Sequence, residues 1–334
     1  MRLSKIKNFA THTVRVFKSE SKRLDITKAL NHFDERYLLG VDRFFGNLYI
    51  PLLSDILNIE DDKFIKELGV SYLFGRVFVI LQDQLLDESK NLEEKTRNEY
   101  LLSSPLTFQR MLIGFETVAK REWLHKEMER SLVSVSKHNI LEIENHHNRI
   151  QKYSEQEIKD LWKKTSLFSL PSLILAHDIL NDEESERFHQ VICKLVVIIQ
   201  LCDDLADIKS DLVDKNFTYP ITEALLNMNT SEVTLPNVYM SLLRGGILIN
   251  ILNKISGLLT EIQQDVRIVT GRESVISQYF NYLHQYMLSV KGKVNTLISK
   301  NSSMEEIADF LQELKDANLD FTHIYPSYIN EQIH

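Results

Sequence analysis

The chain has 334 residues with a net charge of -8, and hydrophobic residues make up 43% of it. It contains only 10 glycines and 6 prolines, and so few helix-breaking residues favour an all-α protein. The length would allow two domains, but no linker-like, repetitive or low-complexity segment marks a boundary, so we predict one large helical domain. Nucleic acid is excluded as the expected partner, because outside the N-terminus no basic stripe with interleaved aromatic residues occurs.

The cysteines and the apolar runs indicate the compartment. Cys193 and Cys202 are the only cysteines; both lie in one apolar helical stretch, which suits a reducing cytoplasm and provides no zinc spacing. The apolar runs are too short or too interrupted to cross a bilayer, and the N-terminus lacks the apolar core of a secretory signal. We therefore expect a soluble, cytoplasmic protein without a transmembrane helix.

Residues 1–24 form a basic N-terminal segment in which Glu20 is the one acid. A transit peptide, a lid over the site and a helix in weak contact with a membrane surface are all compatible with it, but a solvated, frayed terminus is favoured. Residues 25–319 are predicted to form the helical domain, and 320–334 a polar-aromatic tail.

The first stretch that suggests chemistry is YLFGRVFVILQDQLLDE at 72–88, an apolar helical run that ends in Asp83, Asp87 and Glu88. Asp83 and Asp87 are four residues apart, so they share a helix face, and the same face runs back to Tyr72. The apolar half of this helix therefore leads directly to an acidic end.

The middle of the chain contains two weaker signals. His146 and His147 are adjacent, so their side chains point about 100° apart on a helix and cannot easily share a metal; a solvated helix end is favoured. Ser154 and Glu157 match a capping box that starts the next helix, which Pro171 interrupts.

The stretch at 192–220 repeats the first design more strongly. Its apolar helical run is followed directly by four aspartates, which are Asp203, Asp204, Asp207 and Asp211. The first, third and fourth of these aspartates lie four residues apart on one face, where like charges repel, and a hard divalent cation would explain them. A solvated acidic helix end is the alternative.

Two such helices suggest a single site. If their acidic ends face each other across a bundle, they could hold metal ions, while their apolar halves line a pocket beneath. The ligand that this arrangement implies has a phosphate head and a hydrocarbon tail.

With both stretches in place, residues 72–220 resemble the isoprenoid synthase superfamily. DQLLDE at 83–88 resembles the first aspartate-rich motif of that superfamily, with Gln84 where many members have a second aspartate. QLCDDLADIKSD at 200–211 resembles the second motif of trans-prenyltransferases and the corresponding motif of squalene and phytoene synthases. Its aspartates also match the positions of the metal-binding triad of terpene cyclases.

Two basic elements extend the resemblance. KKTSLF, with Lys164 and Thr165, resembles the Lys-Thr element that prenyltransferases use to contact diphosphate. DKNFTYP resembles their basic loop, with Lys215 as its lysine. Arg149, Arg244 and Arg272 are further candidates, because a planar guanidinium suits phosphate, although surface ion pairs are the default for any one arginine.

The resemblance implies an α-helical bundle with a central active-site cavity and three Mg²⁺ ions, for which Mn²⁺ could substitute. The implied metal ligands, of which the first four are also the catalytic residues, are Asp83, Asp87, Asp203, Asp207 and Asp211. The implied contacts to an isoprenyl diphosphate substrate are Lys164, Thr165, Lys215, Gln200, Arg149 and Arg244. A homodimer is compatible with the sequence.

Several motifs of the superfamily are missing from this chain, and their absence helps to choose among the reactions that its members catalyse. The chain has no Gly-Gly-Lys-Arg near the N-terminus and no Arg-Arg pair soon after the first motif, which argues against a chain-elongating prenyltransferase. It also has no Arg-Tyr pair near the C-terminus, where common bacterial cyclases have one. We predict a class I terpene cyclase, with Tyr72, Phe74 and Phe168 as candidates to steady a carbocation. A head-to-head condensing enzyme, a prenyltransferase and a non-catalytic helical binding protein remain as alternatives.

Overall fold

The computed structural model describes residues 3–39, 45–87, 92–228, 232–271, 275–300 and 302–319. Within these ranges the chain forms α-helices, one 3₁₀ segment and one isolated antiparallel bridge, with no strand, so the all-α prediction is confirmed. In chain order the helices are α1 Leu3–Arg23, α2 Thr27–Leu30, α3 Glu35–Leu39, α4 Tyr49–Ile56, α5 Asp62–Asp87, α6 Glu94–Val118, α7 Arg121–Asn145, α8 Glu155–Lys159, α9 Leu170–Ala176, α10 Asp182–Ala206, α11 Ile208–Asp214, α12 Tyr219–Asn227, α13 Leu235–Arg244, α14 Ile247–Thr270, α15 Val275–Lys300 and α16 Met304–Leu319, with the 3₁₀ segment Leu161–Phe168 between α8 and α9.

Helix α10 is the centre of the bundle. It starts at an N-cap in which the Asn181 side chain accepts a hydrogen bond from the Glu184 amide, and three acids occupy its first turn, where they complement the helix dipole. Its middle is mostly apolar and buried, as expected for a helix surrounded by others, and Lys194 on this part forms ion pairs with Glu261 and Asp265 of α14. It packs against α9, α12, α14, α16 and the 3₁₀ segment.

Helices α5 and α6 form the closest helix pair. Gly114 of α6 faces α5, and a Cβ atom at this position would lie 1.8 Å from the Ser71 hydroxyl. Only glycine allows the two backbones to approach this closely. The pair thereby fixes the direction of α5, which carries the first acidic stretch.

The N-terminal segment is part of the core. Helix α1 buries Ile6, Phe9 and Phe17, and it packs against α5. Arg110 of α6 forms ion pairs with Glu20 of α1 and with Glu67 of α5. The interpretation of a frayed terminus is therefore wrong from Leu3 to Arg23, and the helical domain begins at α1 rather than at residue 25.

Among the described helices, none is alone long and apolar enough to cross a membrane. Helix α13 and the part of α14 up to Val269 meet that criterion only together, and a 60° bend separates them. The apolar face of α14 is buried against α10 and α15, which accounts for its composition.

Candidate functional site

The second acidic stretch keeps its predicted spacing across a break in the helix. Asp207 ends α10 with φ -89° and ψ 6°, and α11 begins at the next residue. The Asp207 amide nevertheless donates to the Asp203 carbonyl, and the Asp211 amide donates to the Asp207 carbonyl, each at 2.9 Å. The three aspartates therefore continue along one side of the chain at four-residue steps, and all three are half-buried.

Asp204 is the deeply buried member of the stretch, with 5% of its surface exposed. Its Oδ1 accepts a hydrogen bond of 2.8 Å from Nε2 of Gln200, one turn earlier on α10. Burial raises the pKa of the Asp204 carboxyl to about 8, although Lys164 and Gln200 act in the opposite direction. Near neutral pH this carboxyl is therefore largely protonated.

Lys164 lies on the 3₁₀ segment, which packs against α5, α7 and α10. Only 16% of its side chain is exposed, and its Nζ donates to Oε1 of Glu142 on α7 at 2.5 Å. Burial by itself would lower the pKa of this ammonium, but Glu142 and then Asp204 outweigh burial, and the pKa is raised. The structure thus holds a charged Lys164 paired to Glu142 beside the carboxyl of Asp204.

Asp211 lies between this buried group and solvent. Asn216 and Thr218 donate to its two carboxylate oxygens, each at 3.4 Å. Burial, followed by the charge of Asp207, raises the pKa of Asp211 to about 7. Its protonation state therefore changes near neutral pH.

The residues after α7 pair with the loop after α11, which brings two of the predicted basic residues to one place. His147 and Asn216 form the antiparallel bridge, and the Asn148 amide donates to the Lys215 carbonyl at 2.8 Å. Lys215 and Arg149 are both exposed on these two segments. Both are available to an anion that approaches the second acidic stretch.

The first acidic stretch is more open. Asp83 lies on the last turn of α5 and is exposed, and Asp87 is the last residue of that helix, described here by its backbone alone. Glu88 and Arg272 lie outside the described residues. No group of three His, Cys, Asp or Glu side chains within the described ranges converges on one point, so the four predicted metal ligands with described side chains do not form a closed cage.

The donors nevertheless fit Mg²⁺. This ion takes one or two carboxylates from the protein together with water and substrate phosphate oxygens, rather than a full protein cage. Asp203 and Asp207 are one turn apart and partly accessible, and Asp83 offers an exposed carboxylate on another helix. Such hard oxygen donors suit Mg²⁺ or Mn²⁺.

A small cavity lies between α5, α6 and the 3₁₀ segment. The cavity beside Tyr72, Arg76 and Phe168 has a volume of about 10 Å³. Tyr72 donates to the Phe45 carbonyl at 2.6 Å, and its ring lies 4.8 Å from that of Tyr49. Aromatic side chains therefore fill most of the space beside Tyr72, and the central active-site cavity stays a prediction.

Two residues of the α5 helix have other environments than predicted. Phe74 packs against Phe17 of α1, with ring centroids 4.8 Å apart, so it does not line this cavity. Arg76 does line it, and its guanidinium donates to the backbone carbonyls of Tyr37, Leu38 and Phe45. A cation, rather than an apolar side chain, thus borders the cavity.

A wider, open groove lies on another face of α5. It has a volume of about 340 Å³. Its lining is mostly apolar and consists of Phe78, Gln82, Leu101, Ser104, Pro105, Phe108 and Leu132. Gln82 is adjacent in the chain to Asp83, so the groove begins beside the first acidic stretch.

The other predicted substrate contacts have local partners. Thr165 has non-helical dihedral angles, and its hydroxyl points to the Trp162 carbonyl at 3.5 Å. Gln200 is bonded to Asp204, as described above. Arg244 is exposed on the last turn of α13, which packs against α11.

Two residues of the site were not predicted. Glu142 was missed, although a buried lysine requires a nearby acid; the sequence does not show which acid supplies it. His146 was expected at a solvated helix end, but it is 2% exposed and stacked on Tyr153, so that interpretation is wrong.

No protein-family description and no curated protein sequence matches this chain. The fold is similar to that of a decaprenyl diphosphate synthase from Rhodobacter capsulatus, with a TM-score of 0.66 and 12% identity over 84% of this chain and 96% of that chain. It is also similar to a geranylgeranyl pyrophosphate synthase, with a TM-score of 0.65 and 15% identity over 87% and 99% of the two chains.

A geranylgeranyl pyrophosphate synthetase from the archaeon Geoglobus acetivorans gives a TM-score of 0.63 and 14% identity over 84% and 98% of the two chains. At these identities the likeness establishes the fold, which is that of the isoprenoid synthases. The resemblance stated from the sequence is therefore confirmed at the level of the fold.

Proposed function

We propose that this chain is a Mg²⁺-dependent transferase that moves an isoprenyl group from its diphosphate to an acceptor. The observation that carries the proposal is the largely buried Lys164 ammonium, which is paired with Glu142 and interacts through its charge with Asp204 and Asp211 of the second acidic stretch. A cation and several carboxylates placed together in this way suit a metal-bound diphosphate. The solved structures with this fold include enzymes named as prenyl diphosphate synthases.

The chain's own residues would act on the leaving group. Bound Mg²⁺ would neutralise the charge that develops on diphosphate as the bond from carbon to oxygen breaks. Asp83, Asp203 and Asp207 would hold the metal, and Lys164 would place a fixed positive charge beside the departing oxygens. Lys215 and Arg149 would approach from the solvent side.

The shape of the bundle favours transfer over cyclisation. A cyclase must enclose its whole substrate, and pockets for ligands of this size are typically about 300–1,000 Å³. The cavity beside Tyr72 and Phe168 has about 10 Å³ and is bordered by the Arg76 cation, which would repel a carbocation formed there. The open groove of about 340 Å³ that begins beside Asp83 suits an extended hydrocarbon chain.

The missing family motifs bear on which acceptor receives the isoprenyl group. Because the Gly-Gly-Lys-Arg and Arg-Arg elements are absent, an acceptor without a diphosphate is as compatible with the chain as isopentenyl diphosphate. Both kinds of acceptor therefore belong in the test.

The experiment incubates the purified protein with Mg²⁺ and geranyl, farnesyl or geranylgeranyl diphosphate. Each is supplied alone, with isopentenyl diphosphate, and with an aromatic or alcohol acceptor, while diphosphate release and lipid products are measured by mass spectrometry. We expect diphosphate release to depend on an acceptor and the product to contain both partners. A cyclic hydrocarbon from one diphosphate alone would establish a cyclase instead, and no consumption under any condition would remove the enzymatic proposal.

Matched variants show whether the reaction belongs to this site. Asp203→Asn should strongly reduce product formation, whereas Asp309→Asn should not change it, because Asp309 is an exposed aspartate on α16. Equal activity of the two variants would mean that the second acidic stretch does not carry the reaction.

A further inference from the structure

His146 is the C-cap residue of α7, and it is buried without a close hydrogen-bond partner for its side chain. Only 2% of its surface is exposed, and within the described part of the chain neither ring nitrogen makes a hydrogen bond. The nearest acid is Glu157, whose Oε1 lies 3.5 Å from Nε2. Its ring instead stacks flat on Tyr153, with centroids 3.7 Å apart and planes 6° apart. The ring thus acts mainly as a flat packing surface.

The stacked pair holds the loop that carries Lys215. The Tyr153 hydroxyl donates to the Phe217 carbonyl at 3.5 Å, and the Phe217 amide donates to the His146 carbonyl at 3.2 Å. The Asn148 amide donates to the Lys215 carbonyl at 2.8 Å. We call the ring stack and these three hydrogen bonds the loop clasp.

Backbone strain shows why this loop needs a clasp. Lys215 has φ 55° and Asn148 has φ 60°, both in the left-handed region that residues other than glycine rarely adopt. Two such residues opposite each other persist only when their surroundings hold them. The clasp is therefore one of the contacts that hold the Lys215 backbone, together with the Asn216 amide, which donates to the Asp211 carbonyl at 2.8 Å.

We propose that His146 is a positioning residue, whose ring holds Tyr153 and through it keeps the Lys215 loop at the diphosphate site. This role rests on the proposed function, since it presupposes that a diphosphate binds there. His146 itself does not touch the substrate. Its effect on diphosphate affinity is exerted through Lys215.

The test measures binding of inorganic pyrophosphate with Mg²⁺ by isothermal titration calorimetry, which needs no turnover. His146→Ala should weaken binding about five-fold, a coupling of ordinary size for residues in contact. His146→Phe, which retains a flat ring, should restore most of the affinity. His147→Ala is the matched control, because His147 is the exposed neighbour in the same bridge.

Two further measurements separate positioning from general damage. In a Lys215→Ala background, His146→Ala should cause no additional loss of affinity. Hydrogen exchange of the Asn148 and Phe217 amides, measured without ligand, should be faster in His146→Ala than in the wild type or in His147→Ala.

The outcomes distinguish the two proposals. Wild-type affinity in His146→Ala, an equal loss in a folded His146→Phe, or an undiminished loss in the Lys215→Ala background would each overturn the positioning role while the diphosphate site stands. A wild-type protein that binds no pyrophosphate with Mg²⁺ would overturn the proposed function itself, and with it the role of His146.

Discussion

The two acidic helix ends look alike in sequence but differ in their surroundings. On α5, Asp83 is exposed at the last helical turn. On α10, Asp204 is buried, accepts a hydrogen bond from Gln200 and interacts with the charge of Lys164. On α11, which follows directly, Asp211 accepts hydrogen bonds from the next loop. The same spacing of aspartates therefore produces an open end in one helix and a packed charged cluster in the other.

This difference suggests a division of labour. Water and salt screen the repulsion between exposed carboxylates, so these groups destabilise the fold little. They can also move to bind a metal ion that arrives with its substrate. Buried groups must be neutralised by neighbours even when no substrate is present. Substitutions at the α5 end should therefore affect activity alone, whereas those in the α10 cluster should affect both activity and stability.

The largest effect is expected from removing a metal-binding carboxylate. Asp83→Asn and Asp203→Asn should each lower the transfer rate by roughly 100- to 1,000-fold, as for other groups that stabilise developing charge, and chelation of Mg²⁺ should abolish transfer. Asp83→Asn should change the free energy of unfolding by less than about 0.5 kcal/mol, since its side chain is exposed. Steady-state kinetics and urea unfolding check both statements, with Asp309→Asn as the control. A large loss of stability in Asp83→Asn would contradict the division of labour.

The next effect separates the two lysines. Lys164→Met keeps the aliphatic volume but leaves Glu142 without its partner, so it should cost roughly 3 kcal/mol of stability as well as activity. Lys215→Met removes an exposed cation and should lower pyrophosphate affinity with little change in the unfolding midpoint. Urea unfolding and calorimetry of both variants provide the comparison. Equal stability of the two would mean that the Glu142 pair is not buried in solution.

The buried carboxyl predicts a pH dependence of stability. Because burial raises the pKa of Asp204 to about 8, the folded chain retains, between about pH 4 and pH 8, a proton that the unfolded chain has released. The free energy of unfolding contributed by this group is therefore present at low pH and is lost as the pH rises toward 8. Asp204→Asn should remove this dependence. Between about pH 4 and pH 8, the free energy of unfolding of the variant should therefore increase relative to that of the wild type by up to about 1 kcal/mol per pH unit.

Urea unfolding in the presence of a chelator, at intervals from pH 5 to pH 9, measures this difference. Asp309→Asn should follow the wild type throughout. Parallel curves for Asp204→Asn and the wild type would show that Asp204 is ionised across this range and is not buried as described.

The smallest effect concerns the edge of the cluster. Asn216→Ala removes a donor 3.4 Å from Asp211 that helps its charged form. The pKa of Asp211 should therefore rise further, and the midpoint of the acidic limb of the transfer rate should move to higher pH. A pH profile checks the shift, and an unchanged acidic limb would indicate that Asp211 does not titrate in the rate-limiting complex.

Local patterns were read reliably from the sequence. The capping box of Ser154 and Glu157 forms as predicted, because its two residues lie within one turn. The four-residue spacing of Asp203, Asp207 and Asp211 also survives the helix break. Glu142 and Lys164 were not paired in advance, since they are far apart in the chain and meet only through the packing of α7 against the 3₁₀ segment.

The sequence alone determined the helical class, the two acidic helix ends and the resemblance to the isoprenoid synthases, because these depend on residue types and on spacings within a few turns. The tertiary structure alone decided which aspartate is buried, which acid pairs with Lys164 and how His146 contacts the Lys215 loop. It also decided that aromatic side chains and Arg76 leave only a small cavity beside Tyr72. Burial and charge pairing are properties of neighbours in space, and no local pattern specifies which distant residues those neighbours are.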